Sequence, residues 1–398
     1  MGKKIGINNL NLLVIGHSYR TFQKDSIEST AQYFQNILTL VRVNPLVEFS
    51  KYIPIDNFSQ YQVKYKFDYA NIPINCQVFK TPVIYLPIES QYRTLGEKHY
   101  KSVKKTIAEN NLSFDIIHSH FTWSAGYAGA RLKDETGIPF VVTVHGQDIY
   151  SLPFKNEFWR EKIRYVLNTA DYIITVSGSN KTYIEKLDVT TPVKVIPNGF
   201  PSNIFFPRDQ KKCRLDLNLP LDKKIILTAG NFVPIKGQKF LIYAMGEISK
   251  TRDDVLCVII GSGPLEPELK REVSRLNLQS KVIFPGRKSH EEIAVWMNAC
   301  DVFVLPSLKE GFGVVQIEAM ACGKPVVATR NGGSEELITS DFYGLLVEPA
   351  DPDDLTQKIL VALDREWDQK AILAYAERFT WDNISKEILR IYQRILFD

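Results

Sequence analysis

Apolar residues along this chain gather into short unbroken runs that end in glycine or polar residues, and several intervening segments carry helical spacing. Asn11-Leu12-Leu13-Val14-Ile15 ends at Gly16-His17-Ser18-Tyr19, Phe114-Asp115-Ile116-Ile117 ends at His118-Ser119-His120, and Ile138–Val144 ends at His145-Gly146-Gln147-Asp148. Ala170–Ser177 and Lys194–Gly199 complete this series. A short run with apolar residues on both faces predicts a strand buried on both sides, the kind found in parallel sheets. Helices are predicted over Ser29–Val41 (from Ala31, Phe34, Ile37 and Leu38), over Glu97–Asn111, around Gly126–Lys133 and after Gly178-Ser179-Asn180. Arg20–Ile27 reads as a loop. Asn198-Gly199, Pro201 and Pro207 then form a turn-rich linker. A second series of runs follows at Lys223–Gly230, Val255–Ile260, Val282–Phe284, Val302–Leu305 and Pro325–Ala328. Strand and helix alternating twice predicts an α/β chain with two doubly wound domains, residues 1–205 and 206–375, and a terminal helical segment, 376–398.

Open parallel sheets bind ligands outside the carboxyl ends of their strands. His118, His120, His145 and Asp148 are placed there by position, although His118 and His120 serve equally as polar caps on strand ends. The histidines fall on separate runs and no pair has ligand spacing on one helix, so no metal site is predicted. The stretch after Val302–Leu305 is more specific. A loop with Gly311 and Gly313 leads into an apolar helix that stops at Gly323-Lys324-Pro325. The start of such a helix attracts phosphate, because its first N–H groups lack partners and its dipole is positive there. Glu310 stands just ahead of that start, and Glu318 lies just over a turn into the helix. A nucleotide-sugar fits this layout, with its diphosphate at the helix start, sugar hydroxyls near Glu310 and ribose hydroxyls near Glu318. The plain alternative is an ordinary strand–loop–helix carrying two surface glutamates.

Glu310-Gly311-Phe312-Gly313 and Glu318-Ala319-Met320-Ala321-Cys322-Gly323-Lys324-Pro325 resemble the paired-glutamate signature of retaining glycosyltransferases of family 4. The resemblance covers almost the whole chain, is strongest from Gly230 to Glu336, and implies the GT-B fold, two Rossmann-like domains facing a cleft. It makes His145 the histidine that contacts the transferred sugar. Gly230-Asn231-Phe232-Val233-Pro234-Ile235-Lys236-Gly237 is similar to the family's Gly-Arg-x-x-x-x-Lys-Gly, whose Arg and Lys clamp the donor diphosphate. Lys236 is retained, while Asn231 replaces the arginine and brings no charge. Leaving-group charge then falls on Lys236, the helix start, and a further cation such as Lys309 or Arg20. The resemblance also brings backbone at Gly261 and Gly263 to the nucleotide, and Arg287 and Lys288 beside the base. Gly332-Gly333-Ser334-Glu335-Glu336 is expected to open a helix. The first loop departs from the family, since His17–Ile27 contains no glycine, and its polar residues are assigned to the acceptor instead. The terminal helix, Trp381–Ile395, resembles the segment that crosses back to the first domain.

The function implied is transfer of a sugar, with retention, from a uridine- or guanosine-linked diphosphate sugar to a carbohydrate or lipid-linked hydroxyl in cell-envelope polysaccharide, glycolipid or lipid-linked oligosaccharide synthesis. Neither metal nor cofactor is expected. Two rivals share the fold: a nucleotide-sugar 2-epimerase, and a non-catalytic nucleotide-sugar-binding subunit, suggested by Asn231 and the missing glycines.

Composition narrows this only modestly. The chain has 398 residues, 44% hydrophobic and 24% charged, with a net charge of +4, too mild to argue for nucleic acid. No run approaches the length of a membrane span, and Met1–Gly6 resembles neither a secretory nor a myristoylation signal. Five scattered cysteines read as reduced thiols, so a cytoplasmic protein is expected. Lys98, Lys101, Lys104 and Lys105 interleave with Tyr100, and Phe154, Phe158 and Trp159 with Lys155, Arg160 and Lys162. Such stretches read more often as solvated helix faces, with contact with the anionic inner face of a membrane as the alternative.

Overall fold

A computed structural model describes residues 7–48, 63, 66–86 and 88–397, so the N-terminal residues read above for targeting signals lie outside the described residues. The chain divides into one unit of Met1–Gly199 with Trp381–Asp398 and a second of Phe200–Thr380. The first boundary falls slightly before 205/206, and the second slightly after 375/376.

The first unit holds strands β1 (Asn11–Gly16), β2 (Asn36–Val43), β3 (Cys76–Pro82), β4 (Ile116–His120), β5 (Phe140–Val144), β6 (Tyr172–Thr175) and β7 (Val193–Val195). Their order is β3-β2-β1-β4-β5-β6-β7, and all neighbours are parallel. The second unit holds β8 (Lys224–Ala229), β9 (Val255–Ile260), β10 (Val282–Gly286), β11 (Val302–Leu305), β12 (Val326–Thr329) and β13 (Gly344–Val347). These run β10-β9-β8-β11-β12-β13, again parallel throughout. Each sheet is therefore doubly wound.

Two expectations fail in the same region. Thr21–Ser29 is a helix where a loop was expected, and the helix expected over Ser29–Val41 is a single 3-10 turn, Ala31–Tyr33, followed by β2. Seven of the eight β2 residues are buried, so its apolar positions have no polar face to reveal a strand period. Ala31 and Phe34, on the preceding turn, completed a helical spacing by coincidence.

Side chains alternating along the inner strands fill two cores. Leu13, Ile15, Ile117, Phe140 and Val142 pack with Val103, Leu132 and Trp159 of the helices Glu89–Glu109, Tyr127–Thr136 and Glu157–Thr169. Leu12, Val14, Ile116, Val141 and Ile174 face the other way, against Ile27 and the terminal helix Trp381–Phe397. That helix buries Trp381, Ile384, Ile388, Ile391 and Tyr392, an apolar stripe at helical spacing. Without it the second face of the sheet would lose its cover, at roughly 1.5–3 kcal/mol for each large apolar side chain.

The same helix explains His118. Expected to line a cleft, it is 3% exposed and bonded on both ring nitrogens, Nδ1 to Tyr392 Oη at 2.5 Å and Nε2 to Thr143 Oγ1 at 2.7 Å. It clamps the terminal helix to β4 and β5. His120 stacks on it at 4.8 Å. Burial pushes His118 well below the ordinary 6.5 and His120 down to about 4, so both rings are neutral at physiological pH. In a ring-proton NMR titration an ordinary histidine would be about 90% protonated at one unit below its pKa. The His118 and His120 resonances are expected not to move between pH 7.5 and about 5.5. Titration of either near 6.5 would contradict this account of the clamp.

Candidate active site

In the second unit the chain runs outward through β8, β9 and β10, then returns to the other side of β8 as β11. The loops leaving β8 and β11 diverge, and such a reversal leaves a crevice at the strands' carboxyl ends. Lys236 lies on the first loop and Glu310 on the second. Lys236 Nζ donates to Glu310 Oε1 at 2.6 Å, and the side chains are 28% and 10% exposed. The sequence reading gave these residues separate duties, with lysine on phosphate and glutamate on sugar; in the structure they form one ion pair.

The surrounding backbone holds that pair in register. Leu308 N–H donates to Ile235 O at 2.8 Å, tying the two loops together. Gly237 has φ +64°, and a Cβ there would stand 2.1 Å from Pro306 O, so only glycine permits this approach. Glu310 N–H donates to Asn331 O at 3.1 Å. Asn331 Oδ1 accepts from Gly333 N–H and Ser334 N–H, and Glu335 Oε2 from Asn331 N–H and Gly332 N–H. Ser334–Leu337 is a short helix, as expected of that loop. Asn331 and Glu335 thus position Glu310 through its backbone. Sequence reasoning missed this role, whose only trace was the Asn-Gly-Gly-Ser spacing of a turn.

The helix after Glu310 is Val314–Ala321, preceded by Gly313 at φ +84°, and no side chain caps it. Gln316 N–H already donates to Gly313 O at 3.0 Å, so the N–H groups ahead of it are the ones available to an anion. Gly311 is half-buried, while Phe312 is buried against Phe379 and anchors the loop rather than presenting a ring. Glu318, within that helix, is 4% exposed. Gly261 and Gly263 have a packing role in addition to the expected approach to a nucleotide. Cβ atoms there would lie 1.9 Å from Gly230 O and 2.6 Å from Phe232 O, so both glycines admit the neighbouring loop's backbone. Asn231 is exposed, and its carbonyl accepts from Gln238 Nε2 at 3.0 Å. Arg287 is exposed beyond the edge strand β10, and Lys288 pairs with Glu292 at 3.3 Å.

The first unit reverses at β1 and β4, and aromatic rings collect there. His17, after β1, stacks on Phe121, after β4, at 5.0 Å; Phe121 and Phe22 lie 4.6 and 5.1 Å from His145. His145 Nε2 bonds to His120 Nδ1 at 3.0 Å, and its Nδ1 is buried without a partner. Burial holds His145 and His17 well below the ordinary range, so His145 offers a hydrogen bond and not a charge. Asp148 is 8% exposed and committed to the backbone. Its carboxylate accepts from Thr122 N–H at 2.9 Å, His145 N–H at 3.1 Å and Gly146 N–H at 2.9 Å, and so fixes the backbone under His145. Arg20 immediately precedes the Thr21–Ser29 helix, and Thr21 takes φ +51°. Backbone there has the left-handed form that favours glycine, at some cost to a β-branched residue. Among the described residues no three His, Cys, Asp or Glu groups are arranged to hold a metal.

Comparison with known proteins bears on the family and the fold. The family model described as Glycosyl transferases group 1 matches residues 209–379, and that described as Glycosyltransferase Family 4 matches residues 71–203. An uncharacterized glycosyltransferase of Methanocaldococcus jannaschii is 34% identical over 301 residues, 74% of this chain and 79% of its own length. A D-inositol 3-phosphate glycosyltransferase of Acidothermus cellulolyticus is 31% identical, covering 71% of this chain and 68% of its own. Among solved structures, sucrose-phosphate synthase from Thermosynechococcus elongatus superposes with a TM-score of 0.78 at 25% identity, over 97% of this chain and 99% of that one. Anabaena Alr3699/HepE, crystallised with UDP, gives 0.75 at 23% identity over 97% and 100%, a likeness of fold. The chain belongs to the group 1 glycosyltransferases, with a family 4 glycosyltransferase region in its first half and the GT-B fold.

Proposed function

We propose that this glycosyltransferase moves a sugar, with retention of configuration, from a nucleoside-diphosphate sugar to a hydroxyl acceptor. The observation that carries the reading is the Lys236–Glu310 pair, set across the β8/β11 reversal beside the uncapped start of Val314–Ala321. As the donor's C1–O bond breaks, negative charge grows on the diphosphate oxygen. The Lys236 ammonium and the helix-start N–H groups stabilise that charge where it develops. Glu310 holds the ammonium in place and accepts from a sugar hydroxyl. Asn231 leaves the site without the family's second cation, so Lys236 carries more of the work. Retention is proposed from the resemblance of the paired-glutamate motif, with the acceptor attacking on the face the leaving group departs from and Glu310 not acting as a nucleophile. His145, neutral, donates or accepts a hydrogen bond at the sugar. The positive charge comes from the chain itself, and the proposed reaction needs no metal.

The acceptor side is proposed to meet a membrane surface. Arg93, Lys98, Lys101 and Lys162 line a hollow together with Tyr127 and Phe158. Ile84, Leu86, Ile88 and Phe154 are exposed on the same unit. Cations next to exposed apolar side chains suit an anionic lipid interface, in keeping with lipid-linked or cell-envelope acceptors. No helix among the described residues is long and apolar enough to cross a membrane.

Lys236→Ala and Glu310→Ala are each expected to lower kcat/KM by roughly 10²–10³-fold or more, with unchanged far-UV circular dichroism. Turnover near wild type in either would remove the site assignment. In the same assay EDTA is expected to leave turnover unaltered; a chelator that stops it, reversed by a divalent cation, would refute the metal-free mechanism. In sedimentation with phosphatidylglycerol vesicles, Lys101→Glu combined with Lys162→Glu should weaken binding at least several-fold. Equal binding by that variant, or none by the wild type, would dismiss the membrane face.

A further inference from the structure

A second group of charges, in the first unit, has no part in the roles above. Arg42, near the carboxyl end of β2, is 8% exposed. Its guanidinium lies over the Tyr85 ring at 5.3 Å, and Nη1 donates to Ser124 Oγ at 2.6 Å. Nε is buried with no partner, and among the described residues no hydrogen bond uses Nη2. The Nε–Nη2 edge is one of the forks with which arginine grips a carboxylate or phosphate through two parallel bonds.

Lys66 stands beside it. Its Nζ donates to the Arg42 carbonyl oxygen at 2.7 Å, and among the described residues neither cation makes an ion pair. Two backbone bonds, Tyr19 N–H to Lys66 O at 2.7 Å and Asp68 N–H to Tyr19 O at 2.8 Å, bring the loop after β1 onto this segment. That loop carries His17, whose Nε2 is also buried without a partner. The buried carboxylate at the same sheet end, Asp148, has both oxygens committed to backbone N–H groups. Burying cations unpaired costs several kcal/mol. Burial and the Arg42 charge together push the Lys66 ammonium down to about 7. An anion between the two would remove that cost, and the cluster lies near the β1/β4 reversal, where open sheets receive ligands.

We propose that Arg42 and Lys66 form an oxyanion site for the acceptor, which therefore carries a phosphate or carboxylate group. Arg42 takes the oxyanion through its Nε–Nη2 edge, Lys66 supplies the second charge, and His17 Nε2 is placed to donate a further hydrogen bond. The assignment to an acceptor rests on the transferase reading; the anion site itself does not.

The test follows inorganic phosphate and, in parallel, acetate by ligand-observed NMR with the full-length protein, with and without saturating UDP. At least one anion is expected to bind in both conditions, the tighter one identifying the acceptor's group. Arg42→Met and Lys66→Met should each weaken it by roughly tenfold or more. Should Arg42→Met fail to fold, Lys66→Met, at a partly exposed position, decides alone. Absence of binding, equal affinity in the folded variants, or displacement of the anion by UDP would overturn the proposal. Hydrolysis of nucleotide-sugars by the wild type is read separately. Its absence with anion binding intact would count against the transferase reading and leave the anion site standing.

Discussion

The Lys236–Glu310 ion pair can exist only because the second sheet reverses between β8 and β11 and sends its two loops past each other. Several neighbouring features serve that contact. Gly237 lets the Pro306 carbonyl approach, Leu308 stitches the loops, and Asn331 grips the Glu310 backbone. Partial burial matters as much as distance. An ammonium and a carboxylate attract each other more strongly where protein displaces water, so a pair that would be weak on the surface becomes a defined arrangement here. In the proposed reaction a diphosphate entering beside Lys236 competes with Glu310 for one cation. On that proposal, binding the donor and orienting the sugar are coupled through a single side chain.

The first unit handles polarity differently. Its buried histidines stay neutral because desolvation outweighs any gain from charge, and they bond to hydroxyls and to one another. His118 spends its capacity on the terminal helix and Thr143, whereas His145 and His17 each keep a buried ring nitrogen without a partner. Arg42 and Lys66 are the exception, basic groups that make no ion pair among the described residues.

Much of this was legible from the chain alone. Apolar runs such as Val255–Ile260 announced buried parallel strands, because a strand covered on both faces cannot carry a polar period. The same property hid β2, whose continuous apolar residues were equally compatible with a helix once Ala31 and Phe34 were counted. The edge strand β3, with exposed and buried positions intermixed, offered no apolar run at all. Gly311-Phe312-Gly313 and Glu310 marked the site through local chemistry, since a glycine turn before a helix creates an anion-binding end whatever surrounds it.

Sequence order thus settled the existence of two doubly wound sheets and the residues at their strand ends, because hydrophobic period and turn chemistry are properties of neighbours in the chain. Which strand ends adjoin was a matter for the folded molecule. Lys236 meets Glu310, Arg42 meets Ser124, and His118 meets Tyr392 across gaps in the sequence that no local pattern spans. Gly261 and Gly263 make the same point: a glycine's missing side chain says that something comes close, and only the packing of two loops shows that it is backbone.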